Sequence, residues 1–345
     1  MSYQGRRALP LLLAAVLLTG VSVHTVPAFT TIQDQSTPLA AFPDTMDPSL
    51  LGEHSFFLED TPTPLAELPT PVPAAPVLPA VTVPVASGIL EKRNNKAVID
   101  YSNTKDGYVM VQFTGSTDKR LKAQVKGPAT TYTYNITAGQ WATLPLSEGN
   151  GDYKISVFEN IEGTKYALVL SHTCTVTLTD EFAPFLRSNQ YVDYAAAPNT
   201  AAKAAELTQN LTDPLQKVAV LYDYVVSTLT YDYQLAATVQ SGYLPVLDSV
   251  LERKSGICFD YAALMTGMLR SQGVPCKLVI GYAGSAYHAW ISVWSQNTGW
   301  VDGVIYFDGV SWKRMDPTFA STGNRHQAIM DYINNENNYS AKYFY

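Results

Sequence analysis

Between residues 61 and 87 a proline recurs every two to five positions, at Pro62, Pro64, Pro69, Pro71, Pro73, Pro76, Pro79 and Pro84. Each proline removes a backbone donor and fixes φ, so neither a helix nor an inner strand survives that spacing. The segment is expected to run as an extended, polyproline-like spacer. With the polar, aperiodic residues before it, it defines a disordered Pro-rich stretch over 29–87. The folded core is expected after residue 87.

Upstream of the spacer, residues 1–28 read as a signal peptide. Arg6 and Arg7 precede an apolar stretch from Leu9 to Val23, and Val26-Pro27-Ala28 supplies small residues for cleavage. That stretch is shorter than the ~20 residues a membrane span needs, which favours cleavage over a retained anchor. The mature protein is expected to be secreted or extracytoplasmic in the cell envelope. It would touch a membrane only through an uncleaved N-terminal segment.

Composition supports a folded remainder, with 46% hydrophobic and 11% aromatic residues. A net charge of −7 with no basic run beyond the first residues argues against a nucleic-acid partner. Three cysteines, Cys174, Cys258 and Cys276, are too few for a disulfide-stapled scaffold, and their odd number leaves a thiol over.

From 88 to 180 short alternating runs are separated by turn residues. Lys96–Tyr101, Tyr108–Gly115, Lys122–Lys126, Thr131–Ile136, Trp141–Leu146, Tyr153–Glu159 and Tyr166–Leu178 are the expected strands. About seven strands at this spacing fit a β-sandwich of immunoglobulin-like type. His172 and Cys174 share a strand face there but lack further ligands, so they read as packing residues.

Beyond 181 the pattern turns helical. An Ala-rich helix is expected over 198–210, and Asp213-Pro214 gives an N-cap and a first-turn proline. Leu215, Val218, Tyr222, Val225 and Leu229 then recur at helical spacing. A short helix over 249–253 leads to Ser255-Gly256-Ile257-Cys258-Phe259-Asp260-Tyr261-Ala262, where Tyr261, Leu264, Met265, Met268 and Leu269 mark another helix. Cys258 falls in its first turn, where free N–H groups and the positive dipole end stabilise a thiolate and can face an oxyanion. Cysteine is also a common core residue, so position alone does not make it a nucleophile. Asp260 faces away from it and stabilises the first turn.

Strands are expected over 277–282 and 287–294, with His288, Trp290, Ser292 and Trp294 on one face of the second. A hairpin should follow, with Asp308-Gly309 as a type I′ turn between strands near 300–304 and 311–315. Asp316-Pro317-Thr318 ends it. Asp316 is either turn chemistry or the acceptor that fixes the His288 tautomer. Asp302 and Asp308 compete for that role but lie in turn-like Asp-Gly pairs; His326 competes with His288 but lacks a strand context. Cys276 opens an apolar strand and reads as core. The Asn- and Tyr-rich tail from 334 to 345 fits a closing edge strand or a frayed end equally well.

Taken together, Gly256-Ile257-Cys258-Phe259-Asp260-Tyr261-Ala262, His288-Ala289-Trp290 and Met315-Asp316-Pro317-Thr318, in that order, resemble the transglutaminase-like superfamily of papain-like thiol enzymes, in its bacterial secreted form. Leu229-Thr230-Tyr231-Asp232 is similar to the segment before the core in bacterial members. The resemblance covers roughly 210–320, about a third of the chain. It implies an α+β fold in which a C-terminal core of helices packed on an antiparallel sheet occupies 181–345 and follows the β-sandwich of 88–180. It also implies Cys258 as nucleophile, His288 as general base and Asp316 as orienting acid, with Tyr231 a candidate oxyanion donor. The chemistry implied is acyl transfer from a peptide or protein amide, a cell-wall peptide among the candidates, through a thioester, to water or to an amine. An inert binding module is the alternative. No cofactor or metal is implied: the chain has no His-Glu-x-x-His, calcium-loop or phosphate-loop motif.

Overall fold

The computed structural model describes residues 30–32, 83–295, 299–302, 305–307, 312–314 and 338–345. The expected signal peptide and most of the proline-rich stretch lie outside the described residues.

Among the described residues nine strands precede the α-helices: β1 (Thr30–Thr31), β2 (Glu91–Arg93), β3 (Ala97–Asp100), β4 (Tyr108–Phe113), β5 (Leu121–Lys126), β6 (Thr131–Ile136), β7 (Trp141–Pro145), β8 (Gly151–Glu162) and β9 (Lys165–Val176). They form two antiparallel sheets, ordered β2-β3-β4-β7 and β1-β9-β8-β5-β6. All seven expected strands are present, most to within two residues. Alternation explains this: Ile99, Val109, Val111, Ala123, Val125, Tyr134, Ile155 and Val157 are fully buried in a common core.

Two features correct the expected spacer. Thr30 and Thr31 pair with Tyr166 and Lys165, and Ile32 is buried against Phe158 and Tyr166. At the other end the Val85 carbonyl accepts from Asn103 Nδ2 at 2.8 Å, and Gly88 N donates to Asp100 Oδ2 at 2.6 Å. The 29–87 stretch is therefore bound to the sheets at both of its ends. A two-residue strand carries no periodic signal, so its partner alone defines it.

The second part contains α1 (Pro198–Leu207), α2 (Pro214–Thr228), β10 (Thr230–Tyr231), α3 (Tyr233–Thr238), α4 (Leu247–Arg253), β11 (Ser255–Gly256), α5 (Cys258–Ser271), β12 (Cys276–Ala283), β13 (Ala286–Ser295), β14 (Gly299–Asp302), β15 (Ile305–Phe307), β16 (Trp312–Arg314) and β17 (Tyr339–Phe344). Asp213 caps α2 as expected, accepting from Leu215 N at 3.1 Å. The main sheet is antiparallel, ordered β14-β13-β12-β17. α5 lies between this sheet and α1, α2 and α4, and all of its residues are buried. An apolar stripe was expected; burial on every side makes α5 the central helix.

The C-terminal tail is resolved in favour of an edge strand. β17 pairs with β12, and its end joins the two parts of the chain through aromatic rings. Tyr345 lies 5.6 Å from Tyr132, 5.9 Å from Tyr134 and 4.2 Å from Tyr191. The expected hairpin is present as an antiparallel pair. β15 and β16 pair Phe307 with Trp312, and the expected Asp308-Gly309 turn between them lies outside the described residues.

Candidate active site

Cys258 is the first residue of α5, and Ile257, in extended backbone, is its N-cap. The first helical bond runs from Tyr261 N to the Ile257 carbonyl at 3.1 Å. The N–H groups that precede it have no acceptor within the helix and face its positive end. The thiol therefore sits where the sequence placed it, and it is fully buried.

Asp260, in the third position of the helix, folds back over this turn. Its Oδ2 accepts from Ile257 N at 2.9 Å, which secures the peptide just before the cysteine. Its Oδ1 accepts from the Tyr243 hydroxyl at 2.6 Å and lies 3.0 Å from Arg253 Nη2. Arg253 also donates to the Tyr243 oxygen at 3.2 Å and, through Nε, to the Ser255 carbonyl at 2.6 Å. Burial raises the Asp260 carboxyl above its ordinary value, opposed by these hydrogen bonds and the guanidinium. The stabilised first turn was legible from an aspartate at this position. Tyr243 and Arg253 were missed, because nothing local marks them as its partners.

Tyr231 lies beside the same chain segment. β10 and β11 are parallel, with Tyr231 opposite Gly256. Asp232 N donates to the Gly256 carbonyl at 2.9 Å, and Thr230 N to that of Lys254 at 3.0 Å. The phenol is buried, with its ring 5.0 Å from Tyr233 and 6.5 Å from Tyr261. Gly256 is thus held between β10 and Asp260. A Cβ there would stand 2.5 Å from the Asp260 Cβ, so only glycine admits the carboxylate.

His288 is the third residue of β13, opposite Gly281 of β12. The expected alternation holds. Tyr287, Ala289, Ile291 and Val293 join the core that contains Cys258, while His288, Trp290 and Ser292 alternate with them and are buried too. The height of His288 follows from the joint between α5 and β12, where Arg270 Nε donates to the Cys276 carbonyl at 2.9 Å. From Arg270 back to Cys258 is twelve helical residues, about 18 Å. From Cys276 to Gly281 is five strand residues, about 17 Å. Cys258 and His288 therefore lie at the same end of the helix–sheet layer. Tyr191 lies 5.9 Å from the Phe259 ring.

Asp316, Asp308 and His326 lie outside the described residues. Asp302 pairs with Ser292 at the edge of the sheet. The three cysteines are free. Cys276 is a core residue, as expected, and burial pushes its thiol up to about 12. Burial also raises the Cys174 thiol and lowers the neighbouring His172 imidazole, which stacks 4.1 Å from Tyr101. Among the described residues no group of His, Cys, Asp and Glu is arranged to hold a metal ion. No described helix is long and apolar enough to cross a membrane.

Residues 201–303 match the sequence model of the transglutaminase-like superfamily. Among curated proteins, a protein-glutamine gamma-glutamyltransferase of Pseudomonas aeruginosa is 30% identical over 119 residues, covering 30% of this chain and 17% of the relative. The uncharacterized protein YebA of Bacillus subtilis is 27% identical over 117 residues, covering 28% of this chain and 16% of YebA. The chain thus spans about a sixth of the length of these relatives. Among solved structures, the periplasmic domain of TgpA from Pseudomonas aeruginosa, bound to ethylmercury, is 19% identical. That match covers 69% of this chain and 78% of the domain, with a TM-score of 0.32.

Proposed function

We propose that this protein is an extracytoplasmic thiol enzyme that transfers acyl groups from peptide or protein amides, with Cys258 as nucleophile, His288 as general base and Asp316 as the acid that orients His288. The observation that supports the reading is Cys258 at the first position of a central helix that packs against β13, the strand that carries His288.

The chemistry follows from these roles. The Cys258 thiolate attacks the amide carbonyl carbon, and the oxyanion that forms faces the N–H groups of the first turn of α5, with the Tyr231 phenol as a further donor. The C–N bond breaks as the leaving amine takes a proton from the His288 imidazolium, and a thioester remains. Water or an amine, deprotonated by His288, attacks the thioester; the C–S bond breaks and the thiolate returns. We favour water as acceptor, with a cell-envelope peptide as substrate, because water is abundant outside the cytoplasm and no described feature marks an amine pocket.

The test is the pH dependence of iodoacetamide labelling at each cysteine, read by peptide mass spectrometry, in the wild type and His288→Ala. Cys174 and Cys276 are internal controls, since burial raises both thiols. Cys258 should label fast well below the ordinary thiol value of ~8.5, and His288→Ala should abolish that advantage. Equal, slow labelling of all three cysteines in folded protein would overturn the enzyme reading and leave a binding module. Ammonia release from a glutamine-containing peptide, with and without a primary amine, then distinguishes hydrolysis from transamidation.

A further inference from the structure

Tyr243, Arg253 and Asp260 form a closed hydrogen-bonded triangle directly behind the candidate nucleophile. Asp260 is completely buried, whereas the Arg253 side chain keeps 36% of its surface exposed. A buried carboxylate in the first turn of a helix suits the helix dipole but not a neighbouring thiolate, since the two anions repel. The guanidinium 3.0 Å from Oδ1 cancels that charge. The Tyr243 hydroxyl closes the triangle, donating to Asp260 and accepting from Arg253. The remaining carboxylate oxygen is then committed to Ile257 N, and Gly256 leaves room for it. Arg253 also holds the Ser255 carbonyl, so residues 255 and 257, on either side of Gly256, are tied to one cluster.

We infer that Tyr243, Arg253 and Asp260 are positioning residues for Cys258: a charge-neutral cluster that fixes the chain entering the nucleophile and leaves the positive end of α5 to the thiolate. The inference rests on the reading of Cys258 as nucleophile. None of the three residues touches substrate in this scheme. The described groups that face Asp260 are the Tyr243 hydroxyl, the Arg253 guanidinium and the Ile257 N–H, so Arg253 is the only charge among them.

A neutral cluster makes predictions of opposite sign for its two charged members. Arg253→Gln leaves Asp260 uncompensated and should raise the pH midpoint of Cys258 alkylation by about half a unit or more. Asp260→Asn keeps an acceptor for Ile257 N but leaves Arg253 uncompensated, and should lower the midpoint by a similar amount. The double variant Arg253→Gln/Asp260→Asn should return toward the wild-type midpoint. A purely structural role would instead change rate or stability in one direction for both. All variants are measured in the full chain with iodoacetamide, with circular dichroism as a check of fold. If Arg253→Gln does not fold, Arg253→Lys, which keeps the charge, should hold the wild-type midpoint while Asp260→Asn still lowers it. A low wild-type midpoint that none of the variants moves would overturn the cluster's role and leave Cys258 as nucleophile. A wild-type Cys258 no more reactive than Cys174 and Cys276 would remove the nucleophile reading itself.

Discussion

Gly281→Ala tests the seam on which the position of His288 depends. Gly281 lies opposite His288 in β13 and opposite Ala341 in β17. A Cβ at Gly281 would stand 2.1 Å from the Ser340 carbonyl oxygen, 2.8 Å from Trp290 Cη2 and 3.0 Å from the Ala341 Cα. Ordinary contact begins near 3.4 Å, so either β17 or β12 must retreat by about 1.3 Å, and the nearest atom is backbone. Such a retreat lengthens a ladder hydrogen bond of about 2.9 Å to beyond 4 Å, outside bonding range. Overpacking of this kind costs about 1–3 kcal/mol, and each broken bond adds about 1 kcal/mol. If β17 peels away, the loss of Tyr343 and Tyr345 from the aromatic junction adds about 1.5–3 kcal/mol per ring. We therefore expect a destabilisation of about 3 kcal/mol with local strain, and well above 5 kcal/mol with a detached strand. Urea unfolding followed by tryptophan fluorescence measures it. Because Trp290 must also swing and its ring stacks 6.2 Å from that of His288, Cys258 alkylation should slow in parallel. A variant within 0.5 kcal/mol of wild type, with unchanged alkylation, would refute the claim that this close approach positions the site.

Two further predictions concern the ends of the site. Arg270 is buried, with burial pulling its guanidinium down to about 10, and it donates to the carbonyls of Cys276, Arg187 and Tyr345 at 2.5–2.9 Å. Arg270→Met should lower stability by about 3–5 kcal/mol in urea unfolding, and Arg270→Lys should not restore it, because a single ammonium cannot span three carbonyls. Tyr231→Phe keeps the ring packing and removes only the hydroxyl. It should lower kcat by about 10- to 100-fold with little change in melting temperature if the phenol serves the oxyanion, and unchanged kcat would return Tyr231 to the role of a packed core residue.

Strand positions from 97 to 176 were legible because alternation is a local signal, and each strand there buries one face. The helix start at Cys258 was legible for a similar reason: a glycine, an apolar run at helical spacing and an acidic third residue lie within one window. β1 and β17 were not legible. Thr30–Thr31 and Tyr339–Phe344 acquire their structure from partners more than fifty residues away in sequence. Tyr243 and Arg253 show the same limit at the site. Their chemistry is ordinary in sequence, and only the fold brings them onto Asp260.

Asp260 and Arg270 also explain how a helix buried on every side keeps its place. Apolar burial is non-directional, so a helix such as α5 can slide along its axis or rotate with little change in buried area. A nucleophile at its first residue cannot tolerate that freedom, because a shift of one residue moves the thiol by about 1.5 Å. α5 carries a buried carboxylate in its first turn and a buried guanidinium in its last, each favourable with the helix dipole. The first is bound to α4 and to the residue before the cysteine; the second to the start of β12, to residue 187 and to residue 345. Hydrogen bonds with defined lengths at both ends set the axial position that packing alone leaves soft. The same bonds fix Cys258 against the strand that carries Gly281, and so against the register that holds His288.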